Sequence, residues 1–166
     1  NQPQKYAQIS NSEGCTGDFI NNSNNCINCY DISKTEECRN LQVGIECSAL
    51  LDCSNMYIKP ELCYMTLGTI EVYNCHFCLY VFHSKDLWYC EQCFSCQNCF
   101  GCVGLRNKKY HIFNREYSPE GYEKKVAQII SHMQSTGEWG QYFSASLSPF
   151  AYNESVANDY HPLTRE

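Results

Sequence analysis

CEQCFSCQNCFGC, residues 90–102, sets a cysteine at every third position: Cys90, Cys93, Cys96, Cys99 and Cys102. Taken alone, the run looks like a metal site, because closely spaced thiols are what zinc and iron–sulfur centres use. The same cysteine phase, however, returns in the blocks before it. Aligned on an acidic residue shortly before a Cys, a later Cys pair and a closing Lys, residues 11–34, 35–59, 60–85 and 86–108 form four units. Cys29, Cys53, Cys78 and Cys102 then recur at separations of 24, 25 and 24 residues. The second unit departs from the pattern, with Leu50 where the first Cys of the pair would stand.

A period of this size suits leucine-rich repeats or a β-solenoid. The leucine framework of the former is missing, and so is the 3.6-residue apolar rhythm of helical repeats. The expectation is therefore an all-β solenoid: a right-handed parallel β-helix of about four coils, each with three short strands, stacked about 4.8 Å apart so that equivalent residues form ladders. Asn1–Ser10 reads as an edge or a loose end. Tyr110-His111-Ile112-Phe113 reads as the last strand.

Ser118-Pro119-Glu120 then opens a helix with an N-cap, a proline at its first turn and an early acid. Tyr122, Val126, Ile129, Ile130 and Met133 share one face at helical spacing. An open solenoid end recruits other chains unless covered, so this helix is the expected cap. The division is 1–116 for the cysteine-rich solenoid and 117–166 for the capping helix with an irregular tail. In that tail Trp139, Phe143, Phe150, Tyr152 and Tyr160 are expected to lie back along the solenoid, with a short helix near 154–158.

The charge balance narrows the partners. With a net charge of −6 and its basic residues scattered, the chain lacks the stripe that nucleic-acid binding needs. No apolar run approaches the ~18 residues of a membrane span. No leader is written in the sequence, and the expected setting is cytoplasmic. Fourteen cysteines fit three roles. They are small hydrophobes in a narrow core, thiolate ligands, or disulfides between adjacent coils.

Cys29, Cys53, Cys78 and Cys102 would make one ladder, with Cys26, Cys75 and Cys99 beside it. As ligands the sharpest set is Cys75, Cys78, Cys99 and Cys102, two Cys-x2-Cys pairs of the kind that hold zinc. Asn25, Asn74 and Asn98, each just before a Cys pair, suit a turn ladder, since Asn tolerates left-handed backbone and its amide can bond the next coil. Glu36, Glu61 and Asp86 fall 25 residues apart, with Lys34, Lys59 and Lys85 as a basic row. Such acids are either a solvated face or the acid and base of a polysaccharide-active β-helix. The histidines join no nucleophile constellation, and no phosphate loop or dinucleotide fingerprint is present.

NCFGCVGLRNKKYHIFNREYSPEGYEKK closely resembles a segment of long, cysteine-rich proteins of candidate-phyla bacteria. TGEWGQYF, SPFAYNESVA and DYHPLTRE are similar to the same family, so the likeness is strong from about Cys90 onward and looser before it. The resemblance implies flanking zinc-ribbon-like segments and an excised central region of a longer protein; it implies no activity. His111 departs from the family, whose members often carry Cys or Tyr there. The functional expectation is a non-catalytic scaffold or interaction module that holds a protein partner or flanking domains. The alternatives are a zinc or iron–sulfur domain and a polysaccharide-active β-helix.

Overall fold

The computed structural model describes residues 5–142, 144, 146 and 151. Its backbone is built from a three-residue unit. From Asn22 to Phe113 nearly every third residue has φ near +50 to +70°, and the residue after it points into the lumen. Left-handed backbone costs a side-chain-bearing residue about 1–2 kcal/mol, so something must offset it throughout.

The offset is a regular exchange between turns. The left-handed residue donates its N–H to the turn below, as in Asn40 to Ile27 O and Gln92 to Leu79 O. The residue before it donates to the turn above, as in Arg39 to Leu50 O and Leu79 to Cys90 O. Backbone polar groups are thereby satisfied without long strands.

Strands are accordingly short: β1 (Ile9–Ser10), β2 (Gly17–Asn21), β3 (Cys29–Ser33), β4 (Gln42–Ile45), β5 (Ser48–Leu51), β6 (Ser54–Tyr57), β7 (Glu61–Tyr64), β8 (Leu67–His76), β9 (Phe82–Trp88), β10 (Gln97–Phe100), β11 (Lys109–Ile112) and β12 (Arg115–Glu116). All pairings are parallel except β11 with β12, which folds back antiparallel over the last turn.

The register corrects the expected coil. Ile20 lies opposite Ile32, Ile32 opposite Gly44 and Gly44 opposite Met56, so one turn takes 12 residues and has four inward positions. The solenoid has about nine turns, not four. The 24-residue sequence period spans two turns. Its single 25 arises in the turn containing Ile58 and Lys59, both left-handed, where Ser48 pairs with Glu61 across 13 positions. Leu50 is no defect in the pattern either: it occupies an inward position and is buried like the thiols around it. Cys and Leu are interchangeable there because the lumen asks only for a small or medium group that excludes water.

Helix α1 (Pro119–Thr136) forms where the capping signals place it. Ser118 Oγ accepts the Gly121 N–H at 3.1 Å, and Gly137 closes the helix in left-handed conformation. Its predicted apolar face packs against the outer aromatic side of the last turns. Tyr122 meets Tyr110, and just beyond the helix Trp139 stacks on Trp88 with ring centroids 5.1 Å apart. The segment thus begins at the turn of Tyr110 and ends two turns lower, at Trp88. The expected cap therefore covers a side of the solenoid as well as its final turn. Ile9–Ser10 pairs as an edge with β2, the first of the two alternatives for this segment. Phe143, Phe150, Tyr152, Tyr160 and the helix near 154–158 lie outside the described residues.

Candidate functional site

The chemistry-bearing feature of this fold is its lumen. Thirteen of the fourteen cysteines are buried, Cys15 in the first turn is half-buried, and no two are bridged. Most inward thiols lie against two carbonyls, one two residues back and one in the next turn, whereas Cys38, Cys47, Cys63 and Cys96 meet one each. Cys93 Sγ can give its one proton to Glu91 O at 3.4 Å or Cys102 O at 3.5 Å, and Cys90 Sγ to Trp88 O at 3.3 Å or Cys99 O at 3.5 Å. Cys26, Cys29, Cys78 and Cys102 repeat this geometry with their own neighbours.

Hydroxyls use the same seats. Thr66 Oγ1 bonds Tyr64 O and Cys75 O at 3.1 Å each. Ser12, Ser23 and Ser84 also accept the inward N–H of Ser23, Thr35 and Cys96 from the next turn, and Asn114 N–H reaches Cys102 Sγ at 3.4 Å. A small side chain that can donate one way and accept the other satisfies the inward backbone of this lumen, which is why Cys, Ser and Thr recur.

One turn stands apart: Cys93, Cys96, Cys99 and Cys102 fill all four of its inward positions, with Cys90 below Cys102 and His111 above Cys99. His111 is buried, and its Nδ1 must carry the proton it shares with Lys109 O at 2.7 Å. Within this cluster Cys102 and Cys93 are the most acidic, because Cys90, and for Cys102 also Cys99, can donate to their sulfur. Cys99, hydrogen-bonded to Cys102 and buried, is pushed far up. Elsewhere burial dominates and lifts Cys26 and Cys47 to about 12 and Cys53 to about 11. Neutral thiols are therefore the resting form of most of the core.

The register separates the residues that spacing grouped as a metal set. Cys75 faces Leu87, and Leu87 faces Cys99, so an apolar side chain divides the two pairs; Cys90 likewise lies between Cys78 and Cys102. Two turns separate the pairs by about 9.6 Å, whereas four sulfurs must lie ~2.3 Å from one zinc. Among the described residues no group of three or more His, Cys, Asp or Glu side chains is disposed to hold a metal ion. The proposed ladder of Cys29, Cys53, Cys78 and Cys102 does share one column, with Leu41, Thr66 and Cys90 in the intervening turns.

Outside, Asn25, Asn74 and Asn98 all take left-handed backbone. Asn25 bonds Glu37 Oε1 at 2.9 Å and Asn74 bonds Asp86 Oδ1 at 2.8 Å, so the rungs of this ladder are asparagine alternating with other residues. Asp86 thus belongs to the asparagine column. Glu36 and Glu61 share a different column, with Ser48 between them, and Lys85 follows Tyr73 in it. The 25-residue row of acids is not a row in space. Lys34 pairs with Glu46 at 3.2 Å instead of with those acids.

What sequence reasoning missed is the division of the outer surface. One pair of columns begins with Asn28, Asn40 and Asp52, linked amide to amide to carboxylate at 2.8 and 2.6 Å. Higher up, the same columns turn aromatic: Tyr64, His76, Trp88 and Phe100 beside Phe77 and Tyr89. Aromatic residues 12 apart in the sequence were the available signal. This aromatic half is where α1 docks.

The geometry defines the class: a parallel β-solenoid with a cysteine-rich lumen and a helix laid on its aromatic side. No protein-family model and no curated protein matches the chain. No helix among the described residues is long and apolar enough to cross a membrane.

Proposed function

We propose that this chain is a non-catalytic structural scaffold whose cysteines build the rod and whose outer ladders hold a protein partner or the flanking parts of a longer cysteine-rich protein of the family it resembles. The observation that carries this reading is the placement of most buried thiols against backbone carbonyls in their own and the next turn, as for Cys90 and Cys93. A thiol so buried is shielded from reagents, and outside the pair Cys93 and Cys102 burial also lifts most of the lumen thiols in pKa, which makes them poor nucleophiles. Parallel turns also hold outward groups at fixed spacing of about 4.8 Å, which suits a surface made for extended contact. Unbridged thiols fit a reducing compartment, so the cytoplasm is the proposed setting.

Thiol counting tests the reading. In native protein one thiol, Cys15, is expected to react promptly with a small alkylating reagent, and the other thirteen only on unfolding. Elemental analysis of the same sample is expected to show no stoichiometric metal. Prompt native reaction of several lumen thiols, or about one zinc per chain lost together with the fold on chelation, would overturn it.

A further inference from the structure

The side of the solenoid opposite α1 carries a ladder of its own. Ile45, Tyr57, Ile70, Phe82 and Phe94 stand on successive turns of one outward column, and Arg106 closes it with its guanidinium 4.8 Å from the Phe94 ring centroid. Ile45 and Tyr57 are exposed, and so is Ile58, which bulges beside Tyr57. An apolar column of this length on an open sheet face marks an interaction surface.

The column beside it alternates in charge. Its left-handed residues run Lys34, Glu46, Lys59, Glu71 and His83 from turn to turn. Lys34 Nζ lies 3.2 Å from Glu46 and His83 Nδ1 lies 2.7 Å from Glu71, whereas Lys59 makes no ion pair among the described residues.

Alternation of this kind selects one pairing with a second rod. Laid antiparallel on this side about a two-fold axis, apolar column meets apolar column and charged column meets charged column. An axis through the turn of Lys59 sets Lys59 against its own copy and Glu46 against Glu71. One between the turns of Glu46 and Lys59 leaves Phe82 over Asn21. An axis between the turns of Lys59 and Glu71 sets Lys59 against Glu71 and Glu46 against His83, with Tyr57 over Ile70 and Ile45 over Phe82. That axis is also the midpoint of the eight turns from Asn21 to Arg106, so the two sides overlap in full. With the rods parallel, the charged columns fall on opposite flanks or on apolar rungs.

We propose that the chain pairs with a second copy of itself through this side, antiparallel, about the axis between the turns of Lys59 and Glu71. A second copy is then the protein partner of the scaffold reading, and this step rests on that reading; thiol counting and oligomeric state can nevertheless fail separately. The patch is about 40 Å by about 10 Å, about half of what a standard interface buries per partner, so the dimer is reversible.

Sedimentation equilibrium of the full chain from about 1 to about 200 µM is expected to show monomer–dimer exchange. Tyr57→Glu, at an exposed position, should weaken pairing at least about tenfold with an unchanged circular dichroism spectrum. Lys59→Glu sets a carboxylate against Glu71 of the second copy, and Glu71→Lys sets an ammonium against its Lys59. Each alone should weaken pairing at least about tenfold, whereas an equimolar mixture of the two variants sets opposite charges together at both places and should dimerise within about threefold of the parent. Monomer throughout the range, indifference to Tyr57→Glu, or a mixture no better than its components would each overturn the proposal.

Discussion

Replacing the four inward thiols of one turn, Cys93, Cys96, Cys99 and Cys102, by serine separates a structural lumen from a thiolate site. The cost follows from the hydrogen bonds on each carbonyl. Cys102 O accepts the Cys93 thiol, but it also accepts the Glu91 N–H at 2.9 Å, so losing the thiol leaves no buried carbonyl unpaired. What is lost at each site is mainly packing. Serine retains a donor that can use the same carbonyls, as Ser84 does to Phe82 O at 2.8 Å. The penalty is then a small void, about 1 kcal/mol per site. Alanine forfeits the donor as well as the volume and should cost about 1–2 kcal/mol. Urea unfolding followed by tryptophan fluorescence and far-UV circular dichroism would read both series. The serine quadruple is expected to fold, with a lowered midpoint, and each serine variant should outlast its alanine counterpart. Collapse of single serine variants by more than about 3 kcal/mol, with alanine no worse, would refute the reasoning.

Alkali should unfold the protein. Burial raises the folded-state pKa of Cys26 and Cys47 to about 12 and of Cys53 to about 11, while an unfolded thiol ionises near 8.5. Their stabilisation is complete below that value and declines between about 8.5 and 12, by up to about 1.4 kcal/mol per pH unit per thiol. Urea midpoints measured from pH 7 to 11 would check this, and serine at all three positions should flatten the decline. Gly17→Ala would drive a Cβ to 1.7 Å from Cys29 O and should destabilise the first turns by more than about 3 kcal/mol. Gly104→Asn, at a left-handed position with open space around it, should stay within about 1 kcal/mol of the parent in the same assay. Trp139→Ala removes a stack on Trp88 and should loosen α1 while sparing the solenoid. Hydrogen exchange should then quicken in residues 119–136 and not in β2 to β8.

How much of this was legible differs between levels. The solenoid class, the inward phase of the cysteines, the left-handed asparagines and the helix with its caps and apolar face are all local properties. A three-residue inward period, or the sequence Ser118-Pro119-Glu120, specifies backbone and facing within a few residues, and the amino-acid sequence was enough to determine them. Which inward residue meets which was decided by the tertiary structure. Turn length sets that, and the sequence blurs it because Cys, Leu, Thr and Ser all fill an inward seat, so two turns of 12 look like one coil of 24. That factor of two places Leu87 between Cys75 and Cys99, moves Asp86 out of line with Glu36 and Glu61, and brings Gly101 between Tyr89 and Phe113. Periodicity records that a residue is buried; only the closed turn, through its hydrogen-bond register, determines the neighbour it is buried against.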